Sequence, residues 1–239
     1  MENKAAKTYP VRKVEIAQEV NESIELQKTL DYQVENGIIS DEERKTRIAR
    51  AIVLERVLKK RYEDQSLRDP LTRLPNRRAL EKRFKHLAAQ NIPFGVLSLD
   101  IDHFKRINDT YGHDAGDLVL IQTGQAIATS GIRVEREEED LIAARIGGEE
   151  FIVLLPGVIN NGDLEKVAQR IRLSFQDRPF IIKHQAEQKA IEVTVSIGCY
   201  LYNGESLNTT LKKADEALYQ AKDKGRNQVV VYEIAQEAV

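Results

Sequence analysis

Leu141-Ile-Ala-Ala-Arg-Ile-Gly-Gly-Glu-Glu-Phe-Ile-Val-Leu-Leu155 decides the fold of this 239-residue chain. Two apolar runs, Leu141 to Ile146 and Phe151 to Leu155, flank Gly147-Gly148, and a turn that short returns the chain antiparallel as a β-hairpin. Working outward, Phe94-Gly-Val-Leu-Ser-Leu-Asp100 reads as a buried strand ending in acid, with further strands over Ala190 to Leu201 and Gln228 to Tyr232. Helical spacing covers Arg77 to Gln90, Asp114 to Ser130, Asp163 to Phe175 and Leu207 to Lys224. Strands alternate with helices, yet one pair is joined by a tight turn, so the sheet is mixed rather than fully parallel. The expected class is α+β: a βαββαβ core with added elements, a five-stranded mixed sheet flanked by helices.

The chain before residue 67 is of another kind. Of thirteen glycines only Gly37 precedes Gly95. Apolar residues recur every fourth position at Ile16, Val20 and Ile24, then at Leu26, Leu30 and Val34. Asn36-Gly37 stops that helix, and Ser40-Asp41-Glu42-Glu43 is a capping box with acid at the positive end of the next dipole. The second helix should reach about Ser66, with a stripe of Ile48, Ala51, Ile52, Leu54, Leu58 and Tyr62. Residues 1–66 thus read as a helical hairpin, able either to pack on itself or to form a parallel coiled coil, and so as a dimerisation or signal-input region. Asp69-Pro70 breaks the helical pattern, and residues 67–239 form the second domain.

Composition narrows the class. With 41% hydrophobic residues a core can be buried, and a net charge of −2 gives no support to bulk binding of nucleic acid or an anionic membrane. No run approaches the roughly 20 apolar residues that span a bilayer. Cys199, the single cysteine, has no disulfide partner, which suits a reducing cytoplasm.

Three stretches carry chemistry. Asp100 and Asp102 end an apolar strand. If the strand continues through them they share a face; if it stops at Asp100, only that residue has a fixed direction. Acids at a strand end are ordinarily solvated, but a second acidic turn, Arg145-Ile-Gly-Gly-Glu-Glu-Phe151, places carboxylates at the tip of a centrally buried hairpin, where they would repel without a cation. One Mg²⁺ site using Asp100 and Glu149 is the simplest resolution. The third stretch is Ala214-Asp-Glu-Ala-Leu-Tyr-Gln-Ala-Lys-Asp-Lys-Gly-Arg-Asn227. Its Lys222 and Arg226 either stabilise a helix C-terminus or neutralise a polyphosphate.

Together these motifs resemble the GGDEF family, the diguanylate cyclases of bacterial cyclic di-GMP signalling. The resemblance covers about Leu67 to Tyr232 and rests on five motifs in order: Asp69-Pro-Leu-Thr-Arg-Leu-Pro-Asn-Arg77, the Asp100 to Asp117 stretch, Gly147-Gly-Glu-Glu-Phe151, Thr194-Val-Ser-Ile-Gly198, and Ala214 to Asn227. Glu149 stands where the family name has Asp, which keeps the carboxylate.

The resemblance implies a palm-like domain that condenses two GTP into cyclic di-GMP and two pyrophosphates. Each 3′-hydroxyl attacks the other α-phosphate, so two domains of a homodimer must face each other. It implies Mg²⁺ or Mn²⁺ held by Asp100, the Ile101 carbonyl and Glu149, with Glu149 and Glu150 as the catalytic carboxylates. It places Asn108 and Asp117 at the guanine edge, whose donors suit an aspartate. It places His103, Phe104 and Lys105 around the β- and γ-phosphates, Gly147 and Gly148 against the substrate, and Lys222 and Arg226 on phosphate oxygens. One departure concerns feedback. The family's inhibitory Arg-x-x-Asp positions fall on Glu138 and Leu141; Arg136 and Asp140 have the wrong spacing, and the acids Glu137 to Glu139 would repel a dianionic dinucleotide. Product inhibition there should be weak or absent. The alternative is a catalytically inactive GGDEF domain serving as a GTP-binding or effector module, against which the intact polar set argues.

Overall fold

The structure, a computed structural model, describes residues 28–30, 32–34, 36–130, 142–177, 179–185 and 187–233, without the side chains of residues 55, 58 and 61–65. The chain divides into two units, Met1–Ser66 and Leu67–Val239. In the first, residues 28–30 and 32–34 are helical. The chain leaves that helix at Gly37 (φ 68°), where the Ile38 amide reaches back 2.8 Å to the Gln33 carbonyl. Ser40 Oγ then accepts the Glu43 amide at 3.1 Å, capping α1 (Asp41–Ser66). Ile52, Val53, Leu54 and Val57 on α1 are 43 to 60% exposed. Three of them are consecutive, so the apolar surface is broader than the expected stripe. The earlier helical run up to residue 27, and the side chains of Leu58 and Tyr62, lie outside the described residues.

The second unit runs α2 (Arg77–Ala89), β1 (Phe94–Ile101), α3 (Phe104–Tyr111), α4 (His113–Thr129), β2 (Ile142–Gly147), β3 (Glu150–Pro156), α5 (Asn161–Gln176), β4 (Phe180–His184), β5 (Glu187–Ile191), β6 (Val195–Leu201), α6 (Leu207–Asp223) and β7 (Val229–Val231). Five strands form one sheet in the order β2-β3-β1-β6-β7. All neighbours are antiparallel except β6 and β7, which are parallel, so the sheet is mixed as expected. β1 lies at its centre and is buried along its whole length. Leu97, Leu99 and Ile101 pack on one face with residues of α4 and α5; Phe94 and Val96 pack on the other with residues of α2 and α6. That two-sided burial explains why β1 reads as a continuous apolar run rather than an alternation.

Two elements depart from the sequence reading. A short helix, α3, lies within the Asp100 to Asp117 stretch, where no element was expected before Asp114. The single strand expected over Ala190 to Leu201 is interrupted: residues 192–194 separate β5 from β6, and β5 pairs with β4 in a separate two-stranded sheet. The break is where the chain leaves the peripheral hairpin for the central sheet. The loop carrying Arg136, Glu137 to Glu139, Asp140 and Leu141 lies outside the described residues. No helix among the described residues is long and apolar enough to cross a membrane.

Candidate active site at the end of the central strand

The site begins with the register of β1. Asp100 sits directly opposite Glu150 of β3 on one side and Ser196 of β6 on the other. The β2–β3 hairpin turns at Gly148 and Glu149, with Gly148 at φ 47°, a conformation that favours glycine. A Cβ added at Gly147 or Gly148 would meet nothing within 4 Å, so another molecule can approach this backbone closely. The hairpin is braced from behind. Arg145 Nε donates to the Gly148 carbonyl at 2.9 Å, and Arg145 Nη1 donates to Asp69 Oδ1 at 3.1 Å and Oδ2 at 3.3 Å. Asp69 also accepts from the Thr72 amide at 2.8 Å and hydroxyl at 2.7 Å. Burial works to raise the Asp69 pKa, but the Thr72 hydrogen bonds and Arg145 outweigh it and hold the carboxyl below its ordinary value.

The carboxylates in front are differently placed. Asp100 is 7% exposed, and Lys222 Nζ lies 2.8 Å from its Oδ1. Burial pushes the Asp100 pKa up; Lys222 opposes this, and Asp102 and Asp215 add to it. Glu149 is also pushed up, by burial, then by Asp100, with Glu150 adding to it against Lys222. Asp100, Glu149, Glu150 and Lys222 therefore share one electrostatic neighbourhood, in which Asp100 and Glu149 resist carrying their full charge without a further cation. Among the described residues no three His, Cys, Asp or Glu side chains are grouped to hold a metal alone. Two neighbouring carboxylates, Asp100 and Glu149, with a carbonyl available at the next residue, Ile101, nonetheless suit Mg²⁺ as a donor set, since it is held by one or two carboxylates together with waters and substrate phosphates rather than by an all-protein cage.

Asp102 is a brace, not a second arm of that site. β1 ends at Ile101, and the 5%-exposed Asp102 carboxylate accepts the Thr194 hydroxyl (2.7 Å), the Ser196 hydroxyl (2.7 Å) and the Asn227 amide (3.0 Å). It ties the end of β1 to β6 and to the turn after α6.

The other expected residues fall into two places. His103, in the left-handed conformation (φ 56°), caps α3, and the exposed Lys105 lies in its first turn, where backbone amides point out of the helix end. Phe104 is 7% exposed and its side chain belongs to the core, which leaves its backbone as the part of the residue open to a ligand. One helical turn on, about 6 Å along the axis, Asn108 lies against Gly116, where a Cβ would overlap its Oδ1. The neighbouring Asp117 is exposed. Helices α3 and α4 thus set Asn108 against Gly116, the residue before Asp117, one turn along α3 from its start. Lys222 reaches Asp100 because α6 presses closely on β6: a Cβ at Gly198 would overlap the Ala214 carbonyl and the Leu218 amide. Arg226 is exposed in the turn that Asp102 holds. Sequence reasoning gave no role to Asp69, Arg145, Thr194 or Ser196, whose partners stand 76 to 94 residues away. The cavity between α4 and α5, about 1310 Å³ and lined by Gln122, Gln125, Gln169 and Arg170 among others, shares no residue with this site.

A family model described as diguanylate cyclase, GGDEF domain, matches residues 66–228. The chain belongs to the GGDEF family. Response regulator PleD of Caulobacter vibrioides is 36% identical over 166 residues, 68% of this chain and 35% of its own length. The chain therefore spans about a third of that relative's length. Among solved structures, the coiled coil and GGDEF domain of DgcB from Caulobacter crescentus, in complex with c-di-GMP, superposes with a TM-score of 0.66 at 28% identity, covering 78% of this chain and 98% of that one. Diguanylate cyclase SiaD from Pseudomonas aeruginosa, in complex with its activator SiaC, gives 0.64 at 31% identity over 92% and 84% of the two chains. These likenesses bear out the α+β GGDEF fold.

Proposed function

We propose that this chain is a diguanylate cyclase that condenses two GTP into cyclic di-GMP with release of two pyrophosphates. The observation that carries the reading is the convergence of Asp100 and Glu149 with Lys222 at the end of the central strand, in a family whose model description names that activity. SiaD, named a diguanylate cyclase, supports it. Asp100, the Ile101 carbonyl and Glu149 would hold Mg²⁺ or Mn²⁺, which when bound polarises the α-phosphate and acidifies the attacking hydroxyl.

The chain's own groups do the rest. Glu149, whose pKa burial and neighbouring acids raise, is a better proton acceptor for the 3′-hydroxyl than an ordinary carboxylate, and Glu150 lies beside it. Asp117 accepts from guanine N1–H and N2–H₂, donors that adenine lacks in that pattern, and Asn108 adds a second contact to the base. The exposed first turn of α3, from His103 through Phe104 and Lys105, receives the β- and γ-phosphates at its amides. Lys222 and Arg226 neutralise phosphate oxygens, and the open backbone of Gly147 and Gly148 lets the substrate lie close.

One site holds one GTP, so product formation needs two copies face to face. Residues 1–66 supply this as a dimerising, signal-receiving stalk, raising the effective concentration of the paired domains; the exposed apolar residues of α1 and the coiled coil named for DgcB support it. The reaction is cytoplasmic, in keeping with the buried free thiol of Cys199. Glu138 and Leu141 stand in place of an inhibitory Arg-x-x-Asp pair, so product feeds back weakly or not at all at that position.

The test is incubation of the purified protein with GTP, ATP or both in Mg²⁺ and identification of products by mass. Cyclic di-GMP from GTP alone, lost in Glu149→Ala, supports the reading. GTP binding without any product moves the protein to the inactive binding module. Deleting residues 1–60 should leave a folded, mostly monomeric domain with about 100-fold lower activity per chain at low concentration; unchanged activity removes the stalk's role.

A further inference from the structure

Three consecutive residues beyond α6 have positive φ: Gly225 (113°), Arg226 (65°) and Asn227 (47°). Glycine adopts such angles freely. For Arg and Asn they are strained and persist only where the surroundings over-determine them. Here the surroundings do. The Arg226 amide closes the helix end on the Ala221 carbonyl at 3.0 Å. The Asn227 amide donates to Asp102 Oδ2 at 3.0 Å. From a different element, Arg172 Nη1 of α5 donates to Asn227 Oδ1 at 2.9 Å, and Arg172 is itself fixed by Nε donating to Gln169 Oε1 at 2.9 Å. A run of contacts thus passes from α5 through the side chain of Asn227 to the residue next to Arg226.

We propose that Arg172 and Asn227 are positioning residues for Arg226: they hold the Gly225–Asn227 turn in the one conformation from which the Arg226 guanidinium meets a bound triphosphate. The inference rests on the reading of Arg226 as a phosphate contact. Direction matters because a guanidinium recognises phosphate as a planar fork, so a rotated backbone loses the interaction even though the charge remains. It also explains why an asparagine with left-handed backbone is placed in the turn. Its backbone amide and its side-chain carbonyl are both used, each toward a different part of the fold, and glycine would supply only the first.

The experiment uses the full chain with GTP and Mg²⁺, following pyrophosphate release and thermal unfolding for Arg172→Ala, Asn227→Gly, Arg226→Ala and the two doubles with Arg226→Ala. Asn227→Gly is the decisive variant, since it relieves the backbone strain while deleting the acceptor for Arg172. Its unfolding midpoint should stay level or rise, yet KM for GTP should rise about 10-fold with kcat changed much less. Arg172→Ala should raise KM by a similar factor. In the Arg226→Ala background neither substitution should raise KM further, because the residue being positioned is gone. A wild-type KM in Asn227→Gly, or effects that add in full to that of Arg226→Ala, overturns the inference while leaving the cyclase reading intact. A wild-type protein that does not bind GTP overturns both.

Discussion

Asp100 and Asp102 stand two residues apart at the end of one strand, and both are nearly buried, but their surroundings are opposite. Asp102 accepts two hydroxyls and a backbone amide, each from a different residue of the fold. Asp100 faces one lysine and several other acids, and its pKa is raised. The same contrast separates Asp69, satisfied by Thr72 and Arg145 and held low, from Glu149, crowded by Asp100 and Glu150 and held high. One set of carboxylates has its hydrogen-bonding needs met by the protein; the other is left for something that arrives. Burial alone does not tell them apart, whereas the count of donors facing each oxygen does.

The comparison can be broken most sharply at Asp100. Asp100→Asn should lower kcat for cyclic di-GMP formation by about 10³-fold, measured by pyrophosphate release, while the unfolding midpoint holds or rises. A large loss of stability would place Asp100 with the braces. Asp102→Ala should behave conversely, losing about 3 kcal/mol of unfolding free energy in denaturant titration, because it takes the acceptor from three donors, the buried Ser196 hydroxyl and the half-buried Thr194 hydroxyl and Asn227 amide. Smaller is Asp69→Asn, which should cost about 2 kcal/mol at neutral pH. The Asp69 pKa is depressed by folding, so its contribution is present above the ordinary carboxylate range and is lost as pH falls through the depressed value; the variant and the parent should converge in stability in acid. The smallest effect has the opposite sign. The Glu149 pKa is raised by folding, so its contribution favours the fold at low pH and is lost as pH rises through the raised value. Glu149→Gln should therefore gain about 1 °C in thermal midpoint at pH 7 and lose that gain below the ordinary carboxylate range.

Much of this was legible in the sequence where a signal was local. The central strand, its terminal Asp100 and the Gly147–Gly148 hairpin are each marked within a few residues by apolar runs and turn chemistry, and they fix both the mixed sheet and the meeting of two acidic turns. The helix α3 was missed although Phe104, Ile107 and Tyr111 recur at helical spacing, because eight residues are too few for periodicity to outweigh an Asp- and Asn-rich composition. The β4–β5 hairpin was missed because β5 is exposed along nearly its whole length and carries no apolar alternation. That Phe104 belongs to the core was hidden for a related reason: within a polar motif an aromatic looks available, yet its side chain is buried. The partnerships of Asp102 with Thr194 and Ser196, of Arg145 with Asp69, and of Lys222 with Asp100 join motifs that are separately recognisable. Nothing in the local sequence says which of them touch.

Gly198 lies in a strand interior, faces no substrate and bears no chemical group, yet α6 rests directly on it. Any side chain there would lift the helix and withdraw Lys222 from Asp100. In a genetic screen, substitutions at residue 198 would be scored with the active-site mutants, although the damage is done from beneath, by thickness alone.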